Sequence, residues 1–221
     1  MNAKYLLIFA LSFILISLVP AVVLSDVSVG VKVGDYVEYN VTHTGNIDQL
    51  HDLSYFRMEV VSVQGKEITI SISMRFSNGT TLPLTENINL DTGQMADELI
   101  IPANLNAGEA FLDKNQDLGN LTISGVEQKT FAGATRTVLT ASGSLTSYFW
   151  DKSTGVRVES ISTEPNYTLT STMDKTNMWQ PQLFGLEPTV FYAIIIVIIV
   201  IVVASIAIFV THRKKISPAL T

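Results

Sequence analysis

Cysteine is absent from the chain, and its absence removes disulfides, thiolate metal sites, a cysteine nucleophile and a lipid-modified N-terminal cysteine together. Any folded region must be held by packing, which suffices for a domain of ordinary size. Histidine is scarce: there are three, and His212 follows the last apolar run, leaving His43 and His51 as neutral-pH bases elsewhere. Gly-X-Ser-X-Gly, His-Glu-X-X-His and phosphate-binding glycine loops are all missing. The adjacent acids Asp97 and Glu98 read as the wet face of a short helix rather than an acid–base pair. The expectation is a protein that is not an enzyme. Basic residues are also few: between Asp26 and Pro188, ten Lys and Arg face twenty Asp and Glu, a net charge of -10. Such a surface repels polyanions, so nucleic acid is not expected as a partner.

Charge is missing altogether from Thr189 to Val210, a run of 22 residues closed by Arg213, Lys214 and Lys215. About 20 apolar residues rising about 1.5 Å each cross the roughly 30 Å hydrocarbon core of a bilayer. The basic cluster directly after the run places its C-terminal side in the cytoplasm. A second apolar block, Tyr5 to Val19, follows Lys4 and precedes Pro20, with the small residues Val23 and Ser25 beyond it, the layout of a secretory signal. The alternative is an uncleaved anchor, since the apolar run continues to Leu24. Both versions put the middle of the chain outside. The organisation expected is a signal at 1–25, an extracytoplasmic domain at 26–173, a stalk at 174–188, a membrane helix at 189–210 and a short cytoplasmic tail at 211–221. That is a single-pass type I protein of the plasma membrane with its main domain at the cell surface. Trp179, Phe184, Phe191 and Tyr192 are candidate aromatic anchors at the headgroup level, with Arg213, Lys214 and Lys215 at the opposite interface.

The middle region reads as β. From Lys66 to Phe76, Ile68, Ile70, Ile72, Met74 and Phe76 alternate with polar residues, the period of a strand with one buried and one wet face. Tyr55 to Val63 alternates until Val61, where a bulge is expected. Gln64-Gly65 and Asn78-Gly79 are turn signals, so these strands and Leu82 to Leu90 form a meander. Leu121 to Val126, Thr135 to Ala141, Leu145 to Trp150, Val156 to Ser162 and Tyr167 to Met173 are further strands set apart by Gly, Ser, Asp and Pro. The fold class expected is mainly β: an antiparallel meander forming a curved half-barrel or a sandwich, plus one C-terminal transmembrane helix. Thr44 to Asp52 reads as a polar loop, and Met95 to Ile100 as a short helix stopped before Pro102.

Four Asn-X-Ser/Thr sequons, at Asn40, Asn78, Asn120 and Asn166, are candidate glycosylation sites in an external domain. His43, Asp48, His51 and Asp52 crowd one loop and offer imidazole and carboxylate to zinc or a related metal, although their spacing matches no named motif. Asp113, Asn115 and Asp117 repeat oxygens at alternate positions as the first half of a calcium loop does. The pattern then fails at Leu118 and Ser124, so a solvated turn is the other reading and calcium the one cofactor considered.

Three stretches carry a resemblance: Val31-Lys32-Val33-Gly34-Asp35-Tyr36-Val37-Glu38-Tyr39, Ile101-Pro102-Ala103-Asn104-Leu105-Asn106-Ala107-Gly108-Glu109 and Tyr148-Phe149-Trp150-Asp151-Lys152-Ser153-Thr154-Gly155-Val156. Together they resemble uncharacterised archaeal cell-surface proteins with a signal peptide and a C-terminal anchor. The last is also similar to a hairpin of the curved half-barrel in periplasmic lipoprotein carriers. The resemblance implies a large curved sheet able to hold an apolar ligand, although a permanently tethered chain departs from a shuttling carrier. The function expected is therefore non-enzymatic binding of a lipid, a glycan or another envelope protein close to the outer leaflet. A metal-dependent extracytoplasmic hydrolase and a purely structural assembly protein are the alternatives.

Overall fold

A computed structural model describes residues 27–47, 52–96, 98–114 and 119–216, with side chains as far as His212. Eleven strands and one helix are present among them. They are β1 Tyr36–Gly45, β2 Leu53–Gln64, β3 Glu67–Phe76, β4 Thr81–Asn89, β5 Ala110–Leu112, β6 Asn120–Thr122, β7 Gly125–Phe131, β8 Ala134–Ser142, β9 Thr146–Asp151, β10 Arg157–Thr163, β11 Tyr167–Thr176 and α1 Pro188–Ile216.

Nine strands form one antiparallel sheet in the order β4-β3-β2-β1-β11-β10-β9-β8-β7. Every neighbour is a neighbour in sequence except at the centre, where β1 meets β11 from Val37↔Thr176 to Gly45↔Tyr167. The sheet is thus two meanders zipped together by the first and last strands. The strands β5 and β6 form a separate pair. The bulge expected at Val61 is present, as a register shift between Val60 and Ser62. The Asn78-Gly79 turn joins β3 to β4, with Gly79 at φ 86 and the Asn78 side chain accepting from Thr80 N at 2.8 Å. The segment Leu121 to Val126 is not one strand but two, because Ile123 N turns to Glu109 O while Ser124 N bonds Thr140 O.

A single sheet has one inner face, and here it wraps its own connections. The inward residues Val37, Tyr39, Met58, Val60, Ile68 and Ile70 are buried, and so are Leu90, Leu99, Ile100, Ile101, Ala103 and Leu105 of the β4–β5 connection. This connection is a plug. Ile101 N bonds Gly155 O, Ala103 N bonds Ser28 O, and Arg157 N bonds Leu99 O. Trp150, fully buried, donates its Nε1–H to Glu98 O at 2.7 Å. Met95 to Ile100 is accordingly not a helix: Ile100 bridges Val156, and Glu98 sits at φ 48, outside the right-handed helical region. Pairing with the hairpin outweighed the local helical preference. Gly155 marks the closeness of that docking, since a Cβ there would lie 2.1 Å from Ile101 O.

The hairpin 151–155 is fixed by Asp151, whose Oδ1 accepts from Ser153 Oγ, Thr154 N and Thr154 Oγ1, while Arg136 Nε donates to Oδ2 at 2.8 Å. Burial pushes the Asp151 carboxyl upward, but the Arg136 bond, the hydroxyls and the neighbouring charge outweigh it, and the pKa lies below the ordinary aspartate value.

The segment expected to be a free stalk is largely part of the domain. Strand β11 runs to Thr176, and Trp179 is buried, donating to Phe131 O at 3.2 Å under the Arg136 guanidinium, 4.5 Å from its ring. Gln182 N bonds Gly133 O at 2.8 Å. Trp179 is therefore a core residue and not a headgroup anchor: a tryptophan near a membrane segment has two ways to hide its ring, and here the β7–β8 hairpin supplies the partner. Residues 183–187 are all that remains as spacer, at most about 18 Å when extended.

Helix α1 is long and apolar enough over Pro188–His212 to cross a membrane, and none of that span is buried against the protein. At about 1.5 Å per residue it measures about 38 Å. Phe184, Phe191 and Tyr192 cluster at its start, with ring centroids 5.7 Å apart in sequence. Arg213, Lys214 and Lys215 fall in its last turn.

Candidate functional site

Antiparallel pairing gives the sheet two ends. The starts of β1, β8 and β10 and the ends of β2, β4, β7, β9 and β11 lie at the end from which the chain leaves for α1, here the stalk end. Gly45, Leu53, Phe76, Thr81, Thr146, Thr163 and Tyr167 mark the opposite, distal end. The plug fills the inner face at the stalk end and reaches the distal half only with Met95, Ala96 and Leu99. The space it leaves is a pocket of about 390 Å³.

The pocket has two unlike walls. Leu53, Phe56, Ile72, Met74 and Leu84 of β2, β3 and β4 form an apolar one. Thr146, Ser160, Ser162 and Ser171 of β9, β10 and β11 face it with hydroxyls. Seven consecutive strands of the sheet thus line one space, the signature of a half-barrel rather than a sandwich. Depth follows burial: Phe56, Ile72, Ser160 and Ser171 are buried, while Leu53, Met74, Ser162 and Leu169 are half-buried and Leu84 is exposed. The floor lies inside and the rim at the distal end, so the pocket opens away from the strand ends that lead to α1. From Leu169 to Thr176, seven steps of about 3.4 Å separate rim and stalk end by about 24 Å.

Two charged side chains line the space. Glu86 is half-buried on the edge strand β4, and Arg157 is buried at the start of β10. Arg157 faces inward because of a bulge: Trp150 opposes Arg157 while Phe149 opposes Glu159, so Arg157 and Val158 share one partner. A bulge turns a side chain onto the face that regular alternation denies it. Beneath it, Tyr39 stacks on Phe56 at 4.2 Å and donates its hydroxyl to Arg157 O at 2.5 Å. Complete burial drives the Tyr39 phenol pKa well above its ordinary value, so it stays a neutral donor. Thr146 Oγ1 and Ser162 Oγ satisfy each other at 2.9 Å. Ser171 Oγ is buried with no hydrogen-bond partner among the described residues.

The residues singled out by sequence are placed elsewhere. His43 Nδ1 lies 3.8 Å from Asp52 Oδ1, both partly exposed, and Asp52 Oδ1 also accepts from Ser77 Oγ at 2.6 Å. Asp48 and His51 lie outside the described residues. Among the described residues, no group of three or more His, Asp or Glu converges to hold a metal. Asp113 is fully buried after β5, unlike a residue of a solvated turn; Asn115 and Asp117 lie outside the described residues. Asn40, Asn78, Asn120 and Asn166 are all exposed. Sequence reasoning expected a curved sheet able to hold an apolar ligand but did not place the pocket, although β11 carried a polar inward residue: Ser171 faces inward between Leu169 and Met173, while Thr170, Thr172 and Asp174 face outward.

No protein-family model matches the chain, and no curated protein matches it in sequence. Among solved structures, it is similar to one described as "The Siderocalin Ex-FABP functions through dual ligand specificities", at 10% identity over 64% of this chain and 70% of that one, with a TM-score of 0.24.

Proposed function

We propose that the chain is a membrane-anchored binding protein: a β half-barrel outside the cell that holds a small, partly apolar ligand in its distal pocket, without catalysing a reaction. The observation that carries this reading is the two-walled space at the end of the sheet opposite α1. Its size falls within the range of ligand sites, about 300–1,000 Å³, and its mixture of apolar lining with few polar groups is what such sites use. The segment 1–25 is read as the signal that delivers the domain, α1 as its tether, and the exposed Asn40, Asn78, Asn120 and Asn166 as positions open to glycosylation.

The opening points away from the tether, so the ligand arrives from the external medium or a neighbouring surface rather than from the bilayer beneath. This differs from a domain pressed against its own leaflet. Full-length protein in lipid nanodiscs, titrated with an environment-sensitive apolar fluorophore, is expected to give a saturable blue shift that empty nanodiscs do not. Ser171→Leu, which fills the floor, is expected to abolish it. A response equal to that of empty nanodiscs, or one indifferent to Ser171→Leu, contradicts the assignment. Because the chain has no cysteine, its orientation can be read with single substitutions: Thr80→Cys should react with an impermeant maleimide on intact cells, and His212→Cys only after permeabilisation. The reverse pattern places the domain inside.

A further inference from the structure

We propose that Ser171 Oγ is the polar anchor of the pocket, and that the ligand is an uncharged molecule, apolar over most of its length, with one hydroxyl or carbonyl oxygen hydrogen-bonded there. This deepens the reading of the pocket as a ligand site and rests on it.

Ser171 is set among apolar neighbours. Leu169 and Met173 are the next inward residues of β11, and Val41 opposes it on β1. Ser160 stands directly opposite on β10. Even so, Ser171 Oγ is buried and has no hydrogen-bond partner among the described residues, in a residue only 6% exposed that lines the space. A hydroxyl deprived of both water and a protein partner costs stability. In the wall of a hollow, the group that meets it comes from the occupant. Because a hydroxyl both donates and accepts, an alcohol or a carbonyl oxygen satisfies it.

A charged oxygen or nitrogen at that point is disfavoured by its surroundings. A charge taken out of water must be paired, and neither ionic residue of the lining is placed to pair at Ser171. Arg157 already has an interaction partner within the protein, and it precedes Ser160 by three residues of β10, about 10 Å along the strand. Glu86 pairs with Ile70, and Ile70 with Val60, whereas Ser171 pairs with Val41, one residue beyond the Asn40↔Tyr55 pair. From Tyr55 to Val60 is five steps along β2, so Glu86 lies about 17 Å nearer the stalk end in register. The size then limits the length. At roughly 30 Å³ for a water-sized group, 390 Å³ accommodates about 13 non-hydrogen atoms, one short chain with a compact polar group.

The test uses full-length protein in nanodiscs carrying the apolar fluorophore, with competitors sharing one chain of about ten carbons, matched to the pocket: alkane, alcohol, methyl ketone, carboxylate and amine, each corrected by empty nanodiscs. At neutral pH the alcohol and ketone are expected to displace the fluorophore at concentrations about three- to tenfold below the alkane, the net worth of one hydrogen bond, and the carboxylate and amine to need more than the alcohol. Ser171→Ala should erase the difference between alcohol and alkane while the alkane is unchanged. Without ligand, the same variant should leave the denaturant midpoint where it is or raise it, because it deletes an unmet hydroxyl and no bond. A clear fall in that midpoint would show Ser171 Oγ to be satisfied within the protein and overturn the anchor. Equal displacement by alcohol and alkane, an alcohol advantage that survives Ser171→Ala, or a preference for the carboxylate or the amine overturns it as well. Failure of the fluorophore itself to bind overturns the pocket reading instead, so the two are separable.

Discussion

The two ends of the half-barrel are built from the same strands and differ in what those strands turn inward. At the stalk end, Tyr39, Met58, Ile70 and Trp150 are buried in one cluster with Ile100 and Ile101 of the plug. Two or three residues further along, the same strands offer Val41, Phe56, Ile72 and Tyr148, but β10 and β11 offer Ser160, Ser162 and Ser171, and the plug has already passed. Alternation with a period of two is identical in both halves, so patterning sets the sheet without deciding whether its hollow is filled. Side-chain volume on the inward positions, and the path of one connection, decide that.

The sharpest way to break this contrast is to change side-chain volume at each end. Trp150→Ala removes a fully buried ring and its bond to Glu98 O, and should lower the stability of the domain by about 3–5 kcal/mol, read by denaturant midpoint. Ser171→Leu adds volume at the distal end, where there is room, and should change stability by about 1 kcal/mol or less. Equal losses from both would mean that the distal half is packed as tightly as the stalk half.

Trp179 tests where the domain stops. As a core residue under Arg136 and the β7–β8 hairpin, its replacement by Ala should lower domain stability by about 3 kcal/mol without changing membrane association. Weakened membrane association with unchanged domain stability would restore it to the lipid interface.

Asp151 gives a smaller, pH-dependent effect. Its folded pKa lies below the unfolded value of about 3.9, so its contribution is fully present above about pH 4 and is lost as pH falls through the folded value. Asp151→Asn should cost about 1–3 kcal/mol at neutral pH and flatten the loss of stability in acid. An acid profile unchanged by the substitution would show that other carboxylates govern it.

Much of the sheet was legible in the chain. Ile68 to Phe76 declared β3, Asn78-Gly79 its turn, and Val61 the bulge, because each is a local signal with a local cause. What was hidden is non-local. The β1–β11 pairing joins residues more than a hundred positions apart, and Met95 to Ile100 carried a helical pattern that docking on Gly155 overruled. The pocket stayed invisible because inward serines look like the wet face of a strand until the register shows which way they point. The apolar run was legible as a helix long and apolar enough to cross a membrane, but the seat of Trp179 required the β7–β8 hairpin.

In the proposed arrangement the open half faces away from the bilayer that α1 would cross. This is tested most directly by attaching one fluorophore to Leu84→Cys at the rim and another, separately, to Phe184→Cys beside α1, in full-length protein in vesicles containing quencher-bearing lipids. With Leu84 five steps of about 3.4 Å, about 17 Å, from the stalk end of β4 at Asn89, the Leu84 label is expected to be quenched by aqueous iodide and spared by the lipid quencher, while the Phe184 label is quenched by the lipid. Lipid quenching of the Leu84 label as strong as that at Phe184 would contradict it.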